Sequence, residues 1–286
     1  MAKRIIINEG KSKTIYEGPT PETLIQYFRD DLIAFGGKKH EVLSGKGVLN
    51  NRISAHLMSK LETIGITTHF IKCLNMREQL VHNLEIVPFK MVVRNIAAGS
   101  ICDRLNIKEG TILPRPIIEY YHIDKDKKSP MINESHISTF GWSDPYELEE
   151  INHMTYRIND YLNGLFEGIG ITLVDFKLEF GRLWGEYGEL YIMLADEISP
   201  DSCRLWDTET KEKMDKDRFR YDLGDLTAGY QEIAKRLGLV PETGIIEGGN
   251  INEQLAASLI DIENELAKHR ELREIKKPNK PKPRKI

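Results

Sequence analysis

The sequence predicts an α+β fold with two lobes, antiparallel sheets and a cleft between the lobes. Strand-turn-strand patterns occur at residues 4–18 and 171–196, and several helical patterns come late in the chain, without the regular strand-helix alternation of a parallel sheet. The chain has 286 residues, which is close to the size at which single cores stop growing. These observations favour one compact unit with two lobes.

The N-terminal elements begin with the hairpin predicted at residues 4–18. A glycine marks its turn, and Lys11 and Lys13 lie at its tip, on one face if pairing resumes directly after the glycine. A short strand and a glycine-rich loop follow. Apolar residues at helical spacing then predict a helix over about residues 48–64, and the glycine after it favours its end there.

Pro88 lies between two strand-like runs and marks the predicted crossover between the lobes. The predicted domain boundaries are therefore 1–88, 89–240 and 241–286. The last segment contains a helical pattern at 252–273 and ends in a basic, proline-rich tail.

The second lobe contains a mixture of loops, strands and helices. Residues 112–145 are rich in proline, aspartate and lysine, and predict a loop with one strand at 116–123. A long amphipathic helix is predicted at 143–170, and the hairpin at 171–196 follows it directly. A further helix is predicted at 215–237.

Three charged side chains occur in the predicted strand "LVDFKLEFG", at Asp175, Lys177 and Glu179. Side chains on a strand alternate between faces, so these three share one face. The other face then carries Val174, Phe176, Leu178 and Phe180. A half-exposed sheet can carry such charges, but its partner strand should then be equally polar. The returning strand "ELYIMLAD" is apolar until Asp196, so we interpret the charged face as the floor of a cleft.

The carboxylates on this face are candidate ligands for Mg²⁺. This ion takes one or two protein carboxylates and leaves its other positions to water and phosphate. Folding the hairpin about its loop places Asp196 nearest Asp175, within a residue or two of register. The pattern leaves open which carboxylates share the metal.

Basic residues in three other segments are candidate anion-binding groups. Lys11 and Lys13, beside a glycine, could hold a polyphosphate, although two such lysines also occur in solvated turns. Arg94 precedes a small-residue loop that ends at Ser100, and it could bind a phosphate or carboxylate, or lie on an edge strand. Arg204 follows the hairpin, and it could bind a charged ligand or lie at the surface.

Composition limits the class of protein. The formal net charge of -4 gives no general attraction to nucleic acid or anionic membranes. The three cysteines lie far apart and lack CxxC spacing, which is typical of reduced thiols. No apolar run approaches the roughly 18 residues of a membrane span. We therefore expect a cytoplasmic protein without nucleic-acid or membrane partners.

Seven segments together resemble the phosphoribosylaminoimidazole-succinocarboxamide synthase (SAICAR synthetase) family. They occur in the family's order over about residues 8–238, and are "GKSKTIY", "SGKGVLNN", "VVRNIAAGS", "NESHISTFGW", "LVDFKLEFG", "DEISPDSCRLWD" and "DKDRFR". The resemblance implies a SAICAR synthase-like fold, similar to kinases and ATP-grasp enzymes. It also implies an ATP-dependent ligase that joins L-aspartate to the carboxylate of carboxyaminoimidazole ribonucleotide (CAIR), giving SAICAR, ADP and phosphate in purine biosynthesis through an acyl phosphate.

The resemblance also implies roles for individual residues. The N-terminal lobe would bind ATP, with its phosphates at Lys11 and Lys13 and its adenine near Leu84 and Ile86. The second lobe would hold Mg²⁺ through Glu179 and Asp196. It would bind the ribonucleotide through Arg94, Ser100, Asp175, Lys177, Arg204, Lys216 and Arg220. Lys177 would offset charge on the carboxylate being phosphorylated, and Asp175 would orient the substrate or accept a proton. A homodimer is also implied.

Three positions depart from the family pattern. Gly36, Ile123 and Ser129 stand where the family often has Asp, Lys and Asp, so they can carry no charged role here. Two other functions fit parts of the sequence. A kinase-like phosphotransferase is disfavoured because HRD and DFG motifs are missing from the sequence. A nucleic-acid-binding module is suggested only by the basic tail, which has no aromatic residue for stacking on bases.

Overall fold

The computed structural model describes residues 4–123 and 129–240. In chain order the elements are β1 (Ile6–Glu9), β2 (Lys13–Glu17), β3 (Thr23–Phe28), β4 (Asp31–Ala34), a 3₁₀ turn (Phe35–Gly37), β5 (Lys39–Val42), α1 (Lys46–Thr63), β6 (Phe70–Asn75), β7 (Glu78–His82), β8 (Glu85–Ile96), α2 (Ser100–Leu105), β9 (Ile112–His122), β10 (Met131–Ile132), α3 (Glu134–Thr139), α4 (Pro145–Glu167), β11 (Ile171–Trp184), β12 (Leu190–Ala195), β13 (Cys203–Asp207), α5 (Asp217–Arg220) and α6 (Leu226–Arg236). None of these helices is both long enough and apolar enough to span a membrane.

Two antiparallel sheets carry the fold, as predicted. A five-stranded sheet has the order β1-β2-β3-β7-β6, and a six-stranded sheet has the order β10-β9-β8-β11-β12, with β13 beside β11. The short strands β4 and β5 pair separately. The chain passes from the first sheet to the second at residues 83–84, so Pro88 lies just inside β8.

Helix α4 covers one face of the second sheet. It begins at Pro145, after Asp144, whose carboxylate accepts hydrogen bonds from two backbone N–H groups of the first turn. Apolar residues of α4 share one buried core with Phe176, Leu178 and Phe180. The opposite face of β11 is therefore left for the charged residues, as the alternation predicts.

The predicted position of Val174 on the core face is wrong. The pairing of β11 with β13 contains a bulge between Leu173 and Asp175. A bulge shifts the alternation of side chains. Leu173 consequently joins the core beneath α4, whereas Val174 packs against Ala98 and Trp206 in a separate cluster.

Most predicted elements are confirmed with small changes at their ends. The helices predicted at 48–64 and 143–170 correspond to α1 and α4, and the strand predicted at 116–123 belongs to the longer β9. The segment 112–145 contains β10 and α3 as well as that strand, so it is less irregular than expected.

The single helix predicted at 215–237 is wrong. The segment forms α5 and α6, separated by a turn in which Asp222 and Gly224 have φ values of 53° and 87°. Such left-handed residues end a helix. The helix predicted at 252–273 and the basic tail lie outside the described residues.

Candidate active site

One face of β8 and β11 forms the floor of a cleft of about 280 Å³. Antiparallel pairing puts Arg94 opposite Asp175 and Lys90 opposite Glu179. Lys177 lies between the two carboxylates on the same face of β11. Six residues predicted from the sequence line this cleft, namely Arg94, Ser100, Asp175, Lys177, Arg204 and Arg220.

Asp175 is buried between two arginines. Its Oδ2 atom accepts a hydrogen bond from Nη1 of Arg94 at 2.9 Å and another from Nη1 of Arg204 at 2.6 Å. Arg94 also donates from Nη2 to the hydroxyl of Ser100 at 3.2 Å. Because β8 lies between β9 and β11, Arg94 is not on an edge strand, and that alternative is wrong.

Two more carboxylates extend these ion pairs in both directions. On β9, Glu119 accepts from Nε of Arg94 at 2.9 Å and also pairs with Arg104. Beyond β13, Asp217 accepts from Nε of Arg204 at 2.8 Å and pairs with a further arginine. We call this set the ion-pair chain, in the order Arg104, Glu119, Arg94, Asp175, Arg204, Asp217 and Arg220. Each carboxylate in it fixes the orientation of two guanidinium groups.

Lys177 is the cation at the centre of the cleft. Its side chain reaches the water of the cleft, although protein surrounds it on its other sides. Burial and the charges of Arg220 and Lys90 lower the pKa of Lys177 to about 8, and the attraction of Asp175 only partly offsets them. An anion bound beside Lys177 would relieve this repulsion.

Asp201 connects the cleft to α1. Its carboxylate accepts hydrogen bonds from Nζ of Lys46 at 2.5 Å, Nδ2 of Asn50 at 3.0 Å and the hydroxyl of Tyr230 at 2.8 Å. Lys216 is buried nearby. Burial lowers the pKa of Lys216, while the charge of Asp201 acts in the opposite direction. The predicted substrate residue Lys216 thus lies near Asp201 and is not among the residues that line the cleft.

Beyond the residues that line the cleft, Glu179 of β11 lies beside the segment that follows β12. Ala195 pairs with Glu179, so Asp196 lies beside Glu179 and not beside Asp175. The predicted register is therefore wrong by about three residues. The cause is the turn at 185–189, which is centred further along the chain than the prediction assumed.

Lys13 reaches the segment after β12 from the first sheet. Its ammonium group contacts the carboxylate of Asp196 and lies 3.0 Å from Oε1 of Glu197. Burial opposes the charge, but these two carboxylates raise the pKa of Lys13 above its usual value. Burial also lowers the pKa of His69 to about 4, so its ring is neutral at pH 7 and Nε2 donates to the backbone oxygen of Asp196 at 2.9 Å.

Glu179 and Asp196 are the pair of carboxylates that fits a cation. Burial and the neighbouring charge of Asp196 raise the pKa of Glu179 to about 7. A divalent cation between the two carboxylates would remove their repulsion. Within residues 4–123 and 129–240, no group of three or more His, Cys, Asp or Glu side chains is arranged to hold a metal ion. Two carboxylates suit Mg²⁺, which takes its remaining ligands from water and phosphate.

An apolar surface lies next to Asp196, where the chain passes from the first sheet to the second. Leu84 is 9% exposed and packs with Met193 and Ala195, whereas Ile86 is 45% exposed. Gly181 allows the close approach, since a Cβ atom there would lie 2.7 Å from the Cβ of Leu84. The predicted adenine-binding residue Leu84 therefore packs against Ala195, the residue before Asp196.

The two lysines of the N-terminal hairpin differ in exposure. Lys11 is exposed in the turn before β2, as expected for a solvated turn, whereas Lys13 is paired and mostly buried. Lys90 and Glu119 were not predicted as site residues. Lys90 could have been found, because the two-residue period of "KMVVRN" places it on the face of Arg94. Glu119 gave no local signal, since its contact with Arg94 depends on the pairing of β8 with β9.

Residues 6–237 of the chain match the sequence pattern of the SAICAR synthetase family. The chain belongs to this family. It is 59% identical over 244 residues to a phosphoribosylaminoimidazole-succinocarboxamide synthase of Acidiphilium cryptum, and the match covers 85% of this chain and 96% of the relative. The corresponding synthase of Sinorhizobium fredii is 60% identical over 242 residues, and the match covers 85% of this chain and 95% of the relative.

Solved structures give the same result. The synthase from Ehrlichia chaffeensis is 47% identical, with a TM-score of 0.79 over 83% of this chain and 100% of that chain. A type-2 SAICAR synthetase in complex with ADP is 42% identical, with a TM-score of 0.77, and the match covers 83% of this chain and 99% of that chain. The predicted family, its fold and the assignment to ATP-dependent ligases of purine biosynthesis are thereby confirmed.

Proposed function

We propose that the cleft is where this ligase joins L-aspartate to the carboxylate of CAIR, giving SAICAR, ADP and phosphate. The observation that carries the proposal is the register of β8 against β11. It sets Arg94, Lys177 and Glu179 on one face. Lys13 reaches Asp196, beside Glu179, from the first sheet. A site for several anions and one metal needs this combination of cations and carboxylates.

The ion-pair chain would bind the ribonucleotide. Arg94, Arg204 and Ser100 present donors at one end of the cleft, and Arg220 and Lys216 add positive charge beside it. Of the two roles expected for Asp175, orienting the substrate fits better than accepting a proton, and Asp175 would do so through Arg94 and Arg204. Its Oδ2 atom already accepts hydrogen bonds from both Arg94 and Arg204.

The opposite end would bind ATP and Mg²⁺. The ADP complex of the 42% identical relative supports a nucleotide site in this fold. Lys13 and the exposed Lys11 would contact the phosphates, and the apolar surface of Leu84 and Ile86 would contact adenine. Glu179 and Asp196 would hold Mg²⁺, which supplies positive charge to the phosphates when bound.

Amide formation requires an activated acyl group. A carboxylate oxygen of CAIR attacks the γ-phosphorus of ATP, the bond to the bridging oxygen breaks, and ADP leaves. The uncharged amine of L-aspartate then attacks the acyl carbon, the carbon–oxygen bond to phosphate breaks, and the amine loses a proton. Lys177 would lower the barrier of the first step by offsetting charge on the attacking carboxylate. The cytoplasmic location and the homodimer stay predictions from the sequence.

Release of ADP with ATP and Mg²⁺ tests the proposal, with CAIR and L-aspartate added singly and together. We expect strong release, and SAICAR as product, only when both are present. Glu179→Ala should lower the rate by at least about 100-fold, as expected when a group that holds transition-state charge is lost. Glu186→Ala, in the exposed turn of the same hairpin, is the control and should keep the wild-type rate. Full activity of Glu179→Ala would exclude this metal site, and release without aspartate would exclude the proposed reaction.

A further inference from the structure

Lys90 lies in the cleft but has no role in the proposed chemistry. It is half-buried on β8, opposite Glu179 on one side and opposite Tyr121 of β9 on the other. Its ammonium group donates a hydrogen bond to the hydroxyl of Ser129 at 3.2 Å, and both residues line the cleft.

The charges of the cleft are compensated unequally. Arg94, Arg204 and Arg220 each pair with carboxylates of the ion-pair chain. Among the described residues, neither Lys90 nor Lys177 has a carboxylate close enough for an ion pair, although both line the same cleft. An ammonium group binds a carboxylate or phosphate by charge-assisted hydrogen bonds. The half-buried Lys90 and the water-exposed Lys177 are therefore suited to anions that arrive with the substrates. Lys177 takes the carboxylate of CAIR in the proposed function, and Lys90 has no anion assigned.

Strand β11 lies between two sides of the same sheet face from which reactants can approach. Asp196 follows β12 on one side of β11, and Lys13 reaches the same side, so the phosphates of ATP would lie there. β8 and β9 lie on the other side of β11. With ATP on the β12 side, a nucleophile would reach the acyl group from the side that ATP leaves open. Lys90 and Ser129 lie on that side.

We propose that Lys90 and the hydroxyl of Ser129 form the subsite for a carboxylate of L-aspartate. This inference rests on the proposed function. An ammonium group and a hydroxyl 3.2 Å apart can donate to the two oxygens of one carboxylate. The subsite would hold the amino acid on the β8 side of Lys177, with its amine directed to the acyl carbon. The competing occupant is the γ-phosphate of ATP.

The test is the Michaelis constant for each substrate in turn, measured for Lys90→Met, Lys90→Arg and Ser129→Ala. Loss of a charged hydrogen bond should raise KM for L-aspartate about 10- to 100-fold in Lys90→Met, with partial recovery in Lys90→Arg. Ser129→Ala should raise it about 2- to 10-fold. KM for ATP and for CAIR should stay within about twofold. Lys72→Met makes the same chemical change at an exposed position of β6 and should change none of the three.

Other outcomes would overturn the subsite. A rise in KM for ATP, with aspartate unaffected, would assign Lys90 to the γ-phosphate, and unchanged constants would remove it from binding altogether. If Lys90→Met does not fold, an unchanged KM for aspartate in Ser129→Ala is sufficient to reject the proposal. Succinate, a dicarboxylate without the amine, gives a second readout: it should compete with aspartate, and its inhibition constant should rise in Lys90→Arg and Ser129→Ala. Failure of the proposed function is distinguishable, because wild type would then show no aspartate-dependent release of ADP.

Discussion

Replacing Glu119 with glutamine removes one charge from the ion-pair chain while almost keeping the shape of the side chain. Glu119 is 8% exposed, and its Oε2 atom accepts hydrogen bonds from Nε of Arg94 at 2.9 Å and from the hydroxyl of Tyr121 at 2.8 Å. Breaking a buried ion pair by removing one partner costs about 3–5 kcal/mol. Glutamine retains one acceptor oxygen, so we expect a loss near the lower limit, about 3 kcal/mol. This corresponds to a fall in Tm of roughly 6–12 °C.

The same change should weaken binding of CAIR. Arg94 keeps its bonds to Asp175 and Ser100, so it stays in the cleft, but its Nε atom no longer has a charged partner. We expect KM for CAIR to rise about tenfold, which corresponds to about 1.4 kcal/mol. Because the groups that contact the reacting atoms are unchanged, kcat should fall less than KM rises.

Glu147→Gln is the matched control for this prediction. Glu147 is 5% exposed and binds Arg182 through Nε at 2.6 Å and Nη2 at 2.9 Å, in a pair outside the lining of the cleft. Urea unfolding should show a similar loss of stability in both variants, whereas KM for CAIR should rise only in Glu119→Gln. Equal rises in KM would refute a specific role of Glu119 in positioning Arg94. A stability loss below about 1 kcal/mol in Glu119→Gln would show that the pair is not buried as described.

Two other variants test the adenine surface and the support of the cleft wall. Gly181→Ala places a Cβ 2.7 Å from that of Leu84, so it should cost about 1–3 kcal/mol of stability and raise KM for ATP several-fold. An unchanged KM for ATP would contradict the placement of adenine. Burial alone would raise the pKa of Asp201, but the charges of Lys216 and Lys46 lower it to about 2. The ionised Asp201 therefore contributes about 2 kcal/mol to the free energy of unfolding. This contribution is complete above about pH 4 and is lost as the pH falls toward 2. Asp201→Asn should remove this part of the pH dependence, measured as the free energy of unfolding between about pH 4 and pH 2. An unchanged pH dependence would contradict the pairing of Asp201 with the two lysines.

Several features of the site could be predicted from local patterns. The two-residue period placed Asp175, Lys177 and Glu179 on one face, and the apolar returning strand indicated a cleft. Ordered motifs identified the family, which the comparisons confirm. The same period, applied to β8, would have added Lys90. These inferences succeed because the direction of a strand side chain depends on the strand itself.

Other features depended on contacts between distant parts of the chain. The position of Val174 was wrong because a bulge opposite β13 shifted the alternation, and Asp196 was displaced because the hairpin turn lies later than assumed. The helix predicted at 215–237 was wrong because two left-handed residues interrupt it. Bulges and turns change register by single residues, and a local pattern does not record them.

The sequence by itself determined the class of fold, the family, and which residues carry the charges of the cleft. Only the tertiary structure decided how those charges are paired. It joined Arg94 to Asp175 and Glu119, brought Lys13 to Asp196 from the other sheet, and left Lys90 with a hydroxyl as its partner. The physical reason is that side-chain alternation is a property of one strand. Ion pairing and burial depend on which strands become neighbours and in which register, and only the folded chain sets these.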